Sequence, residues 1–338
     1  MAPWNYPVLL SLAPVGGAIA AGNRVMLKPA EATPKTSALL AELIEEALGP
    51  DVAATILGDA SVGATFATLP FDHLLFTGST RIGRLVAKSA AENLTPVTLE
   101  LGGKSPALVL PGADLAGAAA DIAFGKFTNA GQTCIAPDYV LVPRDRMEPL
   151  VAELKKAVGT YFGTAMTSVF GSQTGRMKGL LDEARSRNVR IEELGGGAAA
   201  ILDPPADIGV SQQEIFGPLL PFLPYDTLDQ ALDHIRKGDH PLALYVFGTD
   251  RSSIARTLGQ VRSGAAVIND SLIHAAVEDL PFGGVGASGM GRYRGQDGFD
   301  RFSNMRAVYE RIGPRLDRLA RPPVTRLHEK VLGWLIGG

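Results

Sequence analysis

Two hydrophobic rhythms alternate along the first hundred or so residues. Short apolar runs at 23–28 (NRVMLK), 52–57 (VAATIL), 73–77 (HLLFT) and 97–100 (VTLE) read as strands. Between the first two, Leu39, Leu40, Leu43, Ile44 and Leu48 recur at helical spacing. Thr33-Pro34 reads as that helix's N-cap and first turn, and Gly49-Pro50 as its stop. A second helix is predicted over 82–92. Beyond residue 104 the helices lengthen, near 114–127, 147–158 and 174–188, with later strands at 219–225, 243–247 and 264–268. This alternation predicts an α/β fold with a largely parallel sheet. The change of rhythm puts a boundary near Gly102, dividing the chain into 1–102, 103–295 and 296–338.

The apolar start, 7–22 (PVLLSLAPVGGAIAAG), imitates a signal peptide. No Lys or Arg precedes it, and Pro7, Pro14 and Gly16-Gly17 interrupt it, so it reads as a buried helix. Composition narrows the class further. Hydrophobic residues make up 46% and charged residues 20%, which supports a packed core and argues against disorder. The net charge is −3 and no basic cluster is interleaved with aromatics, so no nucleic-acid partner is expected. One cysteine, five scattered histidines and no CxxC argue against a metal site. A lone cysteine makes no internal disulfide and fits a reducing compartment.

That cysteine, Cys134, lies in NAGQTCIAPDYV (129–140), after a flexible polar run. It is either a buried hydrophobe or a nucleophile whose thiolate a helix N-terminus would favour. His274 is the one candidate partner for a Cys–His hydrolase, and no such signature surrounds either residue. FTGSTRIG (76–83) opens a helix at a strand end, a phosphate cradle or simply a tight turn. Lys28 and Glu31, in LKPAE, lie where a dinucleotide ribose would rest, or form a surface ion pair. Glu100, in LELGGK, ends an apolar strand as a general base with raised pKa, or as a salt-bridge or cap residue. Asn5, in PWNYP, suits an oxyanion donor or ordinary turn chemistry. Glu214 and Phe216, in QQEIFGP (212–218), could steady a nicotinamide ribose and ring, or be a surface Glu and a core Phe. PFGGVGASGMGRYRG (281–295) reads as an ordered functional loop or a packed crossing.

In this order the motifs PWNYP, KPAE, FTGSTRIG, LELGGKSPA, NAGQTCIAPDY, EIFGP and PFGGVGASGMG resemble the aldehyde dehydrogenase superfamily, over the chain up to about residue 310. FDHLLFTGST and GQTCIAPDYVLVP look like its class 3 branch, and NDSLIHAAVEDLPFGGVGASGMG like bacterial coniferyl-aldehyde-dehydrogenase-like members. The resemblance implies a doubly wound parallel NAD-binding sheet in 1–102 and an α/β catalytic domain in 103–295. Residues 296–338 would serve oligomerisation or surface docking. It also implies a cytoplasmic, NAD- or NADP-dependent oxidation of an aromatic or medium-chain aldehyde. Cys134 would be the nucleophile, Glu100 the water-activating base and Asn5, with the Cys134 N–H, the oxyanion donor. Lys28, Glu31, Thr77, Gly78, Ser79, Gly83, Glu214 and Phe216 would contact the cofactor, and Tyr6 and Ile135 the substrate tunnel. The rivals are a coenzyme A-acylating relative and an inactive one.

The family carries a long region before its PWN motif, so the resemblance implies a truncated chain whose cofactor sheet lacks a central strand. A full-length chain would be a homodimer. The stretch 192–210 also looks shortened. The basic, apolar tail, 318–338, is expected to dock on protein rather than on a membrane surface, and its apolar run is too short to span one.

Overall fold

A computed structural model describes residues 1–163, 168–313 and 322–337. Residues 1–303 form one compact unit and 304–338 another. The strands of the first unit are β1 (Val25–Leu27), β2 (Ala53–Thr55), β3 (Leu74–Thr77), β4 (Val97–Glu100), β5 (Pro106–Val109) and β6 (Tyr139–Pro143), then β7 (Arg190–Gly195), β8 (Ala198–Leu202), β9 (Leu219–Tyr225), β10 (Ala243–Phe247), β11 (Ala265–Ile268) and β12 (Gly289–Met290).

The larger sheet runs β11-β10-β5-β6-β9-β8-β7, parallel except where β7 meets β8. Its central strands are apolar on both faces because helices cover both. Ala107, Val109, Val140, Val142 and Tyr245 pack on one face with Ile122 and Phe127 of helix Leu115–Phe127 and Leu150 and Leu154 of helix Met147–Tyr161. Leu108, Leu141, Leu244 and Val246 point the other way, onto Leu232, Ile235 and Ile254. Each such fully buried side chain stabilises by about 1.5–3 kcal/mol.

The remaining strands stand in two smaller sheets, β1-β2 and β12-β4-β3. Residues 1 and 2 lie between them: Thr77 N–H donates to Met1 O at 3.2 Å and Ala2 N–H to Lys28 O at 3.0 Å. β3 and β4 are parallel with Thr77 opposite Glu100, so those two side chains end the sheet at one level. β12 pairs antiparallel to β4, Gly289 opposite Glu100. The glycine-rich stretch therefore crosses from the larger sheet, which it leaves after β11, to the smaller one, and Phe282 and Tyr293 bridge within it.

Two local expectations change, and two further segments take definite form. The apolar start forms helix Leu9–Ala20, but only Leu10, Ser11, Val15 and Ala18 are buried. Leu9 stays 55% exposed, because the neighbouring β1 and helix Gly295–Arg301 cover one side only. Pro34 does begin helix Pro34–Leu48, yet Thr33 makes no side-chain cap; its hydroxyl donates to Ala30 O instead. Within 192–210 the chain forms the β7–β8 hairpin, turning through Gly195–Gly197, all at positive φ. The tail forms helix Arg326–Leu335; residues 318–321 and Gly338 of that expectation lie outside the described residues. Among the described residues no helix is long and apolar enough to cross a membrane.

Candidate active site

A cleft of about 590 Å³ opens where β1, β3 and β4 end. Lys28 and Glu31 follow β1, Thr77, Gly78 and Ser79 follow or end β3, and Glu100 ends β4; all of them line it. Open α/β sheets bind ligands at this edge. Ser79 caps helix Thr80–Ala91, its Oγ accepting from Ile82 N–H at 3.4 Å, and both Ser79 and Ile82 line the cleft, so the helix begins at its edge. Lys28 is buried and its Nζ lies 2.5 Å from Glu31 Oε2. Partial burial is the largest single influence on Glu31 and works against its charge, but the Lys28 hydrogen bond, a backbone hydrogen bond and the Lys28 charge together outweigh it and hold the carboxyl below its ordinary range. Gly83 does not line the cleft. A Cβ there would stand 2.5 Å from Leu101 Cδ2, so this glycine lets the helix pack on the chain after β4.

The opposite wall is the Cys134 loop. Helix Leu115–Phe127 gives way to a 3₁₀ turn in which Asn129 (φ 51°) and Ala130 (φ 53°) are left-handed. Such backbone costs about 1–2 kcal/mol per residue and persists only where surroundings hold it. Here they do. Gln132 donates to Asn129 O at 2.9 Å and accepts from Phe170 N–H at 2.7 Å. Asn129 Nδ2 donates to Asn5 O, and Asn5 Nδ2 to Gln132 O, each at 3.1 Å. The Tyr6 and Thr133 hydroxyls are 2.8 Å apart, and Tyr245 donates to Ile135 O at 2.5 Å. Cys134 is thus pinned on both sides. Asn5, which lines the cleft, spends one N–H on Gln132 and keeps the other for a ligand.

Cys134 faces the cleft in a turn, not at a helix N-terminus. Burial and the nearby carboxylates Glu214 and Glu100 push its pKa up to about 12, the reverse of the lowering expected from sequence. Tyr6 and Ile135, expected in the substrate tunnel, are not among the cleft residues, and Ile135 is core. His274 is also absent from the cleft; burial and Arg294 push its pKa down to about 4.

Two carboxyl groups meet here. Glu100 is 2% exposed and neither oxygen has a hydrogen-bond partner. Burial raises its pKa well above 4.5, against the pull of Arg294 and Arg292. Beside it the Thr77 hydroxyl is equally orphaned. Burial, then the Asp138 charge, pushes Glu214 up to about 8. Glu214 lies across Gly102, where a Cβ would come within 2.0 Å of Oε2. Phe216 (φ 49°) meets Trp4 edge-on at 5.6 Å, and Trp4 stacks on Phe170 at 4.8 Å. Sequence reasoning missed Trp4 and Gly102 as parts of the site, although both fall inside motifs singled out for other residues.

The Aldehyde dehydrogenase family model matches residues 1–308. The chain belongs to the aldehyde dehydrogenase family. This aldehyde dehydrogenase is 46% identical to a probable coniferyl aldehyde dehydrogenase of Pseudomonas aeruginosa, covering 98% of this chain and 72% of that one. The substrate-bound Staphylococcus aureus AldH superposes with a TM-score of 0.91 at 37% identity, over 99% of this chain and 76% of that one. Mycobacterium tuberculosis aldehyde dehydrogenase, solved with NAD+, gives 0.81 at 32% identity, over 89% and 66%. Family membership makes the chain an oxidoreductase that takes an aldehyde to an acid.

Proposed function

We propose that this aldehyde dehydrogenase oxidises aromatic or medium-chain aldehydes, coniferyl aldehyde among them, through a thioester on Cys134, with NAD as cofactor. The observation that carries the reading is the convergence of Cys134, Glu100 and Asn5 on one cleft whose Glu100 carboxyl and Thr77 hydroxyl lack protein partners. Buried polar atoms are rarely left so unless a ligand or a reaction uses them.

The residues present fit a dinucleotide. The Ser79-capped helix end suits a pyrophosphate, and Gly78 beside it lines the cleft, its missing side chain making room for the Phe76 ring. The Lys28–Glu31 pair suits ribose hydroxyls, and the Glu31 carboxylate favours NAD over NADP, whose 2′-phosphate it would repel. Glu214 and Phe216, with Thr77, border the end nearest Cys134 and would hold the nicotinamide half. We assign 1–102 to cofactor binding, 103–295 to catalysis and 296–338 to docking or oligomerisation.

Bound NAD supplies a hydride acceptor at that end. The rest is done by the chain. The Cys134 thiol gives its proton to water and its sulfur adds to the aldehyde carbon. The carbonyl oxygen becomes an oxyanion that accepts from the spare Asn5 N–H and the Cys134 backbone N–H. With a hydride acceptor held there by Glu214, Phe216 and Thr77, the same carbon would give up its hydride and stay on the Cys134 sulfur as a thioester. Glu100, as carboxylate, takes a proton from water, the hydroxide adds to the thioester carbon and the C–S bond breaks. Acid departs and the sulfur regains a proton. A water-activating Glu100 favours hydrolysis over transfer to coenzyme A. Residual thiol chemistry suits a reducing, cytoplasmic setting, and a homodimer is the assembly proposed for the full-length enzyme.

Titration with NAD while reading Trp4 fluorescence tests this, with Trp334, the other tryptophan, changed to Phe. The reading expects quenching on binding, and NADH formation with coniferyl aldehyde but without coenzyme A. No binding, or NADH only when coenzyme A is present, refutes it.

A further inference from the structure

A buried charged cluster lies behind the cleft wall, and the mechanism above does not use it. Asp138, 3% exposed, sits four residues beyond Cys134, with its own N–H held by Ser105 O at 2.7 Å. Its Oδ1 accepts from Ile215 N–H at 2.8 Å and its Oδ2 from Lys104 Nζ at 2.5 Å. Lys104 Nζ also donates to Val210 O at 3.1 Å and Gln213 O at 2.9 Å. From the other side, Arg176 donates to Glu214 O at 3.1 Å and to Ile215 O. Lys126, fully buried, lies 4.0 Å from Asp138 Oδ1 with no hydrogen-bond partner.

These bonds fall on consecutive peptide groups. Gln213 O goes to Lys104, Glu214 O and Ile215 O to Arg176, and Ile215 N–H to Asp138. No strand or helix ladder serves this stretch, which runs between helix Gly209–Gln212 and β9. Yet it must hold Glu214 flat over Gly102 and Phe216 in a left-handed backbone facing Trp4. A buried ion pair is a poor source of stability once desolvation is counted, but it fixes geometry when every donor is met. The Lys104–Asp138 pair meets that condition, since the ammonium donates to Asp138, Val210 O and Gln213 O and both Asp138 oxygens accept; the unmet Lys126 ammonium lies outside the pair.

We propose that Asp138, with Lys104, is a positioning residue that sets Glu214 and Phe216 at the cofactor end of the cleft and ties that clamp to the exit of the Cys134 loop. It touches no reacting atom. It acts through the 213–216 backbone. The proposal rests on the reading of Glu214 and Phe216 as cofactor contacts.

Asp138→Asn keeps an acceptor for Ile215 N–H but leaves the Lys104 ammonium without its anion. Lys104→Met, at a side chain 22% exposed, removes the same pair from the other end. Both variants and their double are made in the whole chain and compared with the unaltered protein by NAD titration and steady-state kinetics. The expected result is a KM for NAD raised about tenfold in each variant while the KM for aldehyde stays within about twofold. The double variant should be no worse than the singles, because the pair acts as one unit. Equal NAD affinity in all four proteins overturns the proposal while leaving the cofactor reading intact. So does a joint rise of both KM values, or loss of folding in both single variants, which would mark a scaffold role. Failure of the unaltered protein to bind NAD at all refutes the cofactor reading and takes the proposal with it.

Discussion

Replacing Glu100 by Gln separates the two chemical steps and tests the carboxyl's environment at the same time. Gln keeps the shape at the end of β4 but takes no proton from water. A positioned general base contributes roughly 10²–10⁴ in rate, equivalent to about 3–5 kcal/mol of barrier. Rapid mixing of Glu100→Gln with NAD and aldehyde should therefore show a full first-turnover burst of NADH, then a steady rate at least about a hundredfold below the unaltered enzyme. Stability supplies the second reading. Glu100 is raised well above 4.5 by burial, so the folded chain holds this proton more tightly than the unfolded chain does. The stability Glu100 costs is absent below pH 4.5 and grows as pH rises from there towards the folded pKa. Gln does not titrate, so the variant should gain on the unaltered protein by about 1.4 kcal/mol per pH unit through that window. Urea melts at pH 5, 6 and 7 read this directly, and the Glu214 contribution cancels in the difference. Parallel stability curves would refute the orphaned-carboxyl geometry. A lost burst would move Glu100 to the step before hydride leaves.

Two further outcomes follow from the same geometry. With its pKa pushed up to about 12, Cys134 should react with iodoacetamide about tenfold faster per pH unit from 7 to 10 without NAD; a plateau below pH 9 contradicts the burial described. Gly102→Ala puts a Cβ within 2.0 Å of Glu214 Oε2, so the flexible carboxylate must swing away; NAD affinity should fall about tenfold at nearly unchanged melting temperature. Unchanged affinity would remove Glu214 from the cofactor contacts.

Much of the architecture can be read from the chain. Strands ending in Gly or Lys-Pro, and Pro34 at a helix start, carry their signals within a few residues, and the motifs hold Cys134, Glu100 and Asn5 as compact units. What depends on distant neighbours is not readable that way. The β7–β8 hairpin hides because Ala198–Leu202 is apolar throughout and three glycines blur its turn. Cys134 looks like a candidate for a lowered pKa, since nothing local shows that the fold will bury it and bring Glu214 and Glu100 beside it. Ile135 stands next to Cys134 in sequence but turns into the core. Gly83 sits in the expected phosphate motif yet serves Leu101. The Lys104–Asp138 pair spans 34 residues, and only the fold brings it under the 213–216 stretch.

The most direct test of the central claim is mass spectrometry of the Glu100→Gln variant, quenched in acid after one turnover with NAD and coniferyl aldehyde. The account predicts a peptide containing Cys134 that carries the acyl group in place of the thiol hydrogen, and no adduct when Cys134 is changed to Ser. Acid formed at an undiminished rate by Cys134→Ser, or an acyl group found on any other residue, would contradict it.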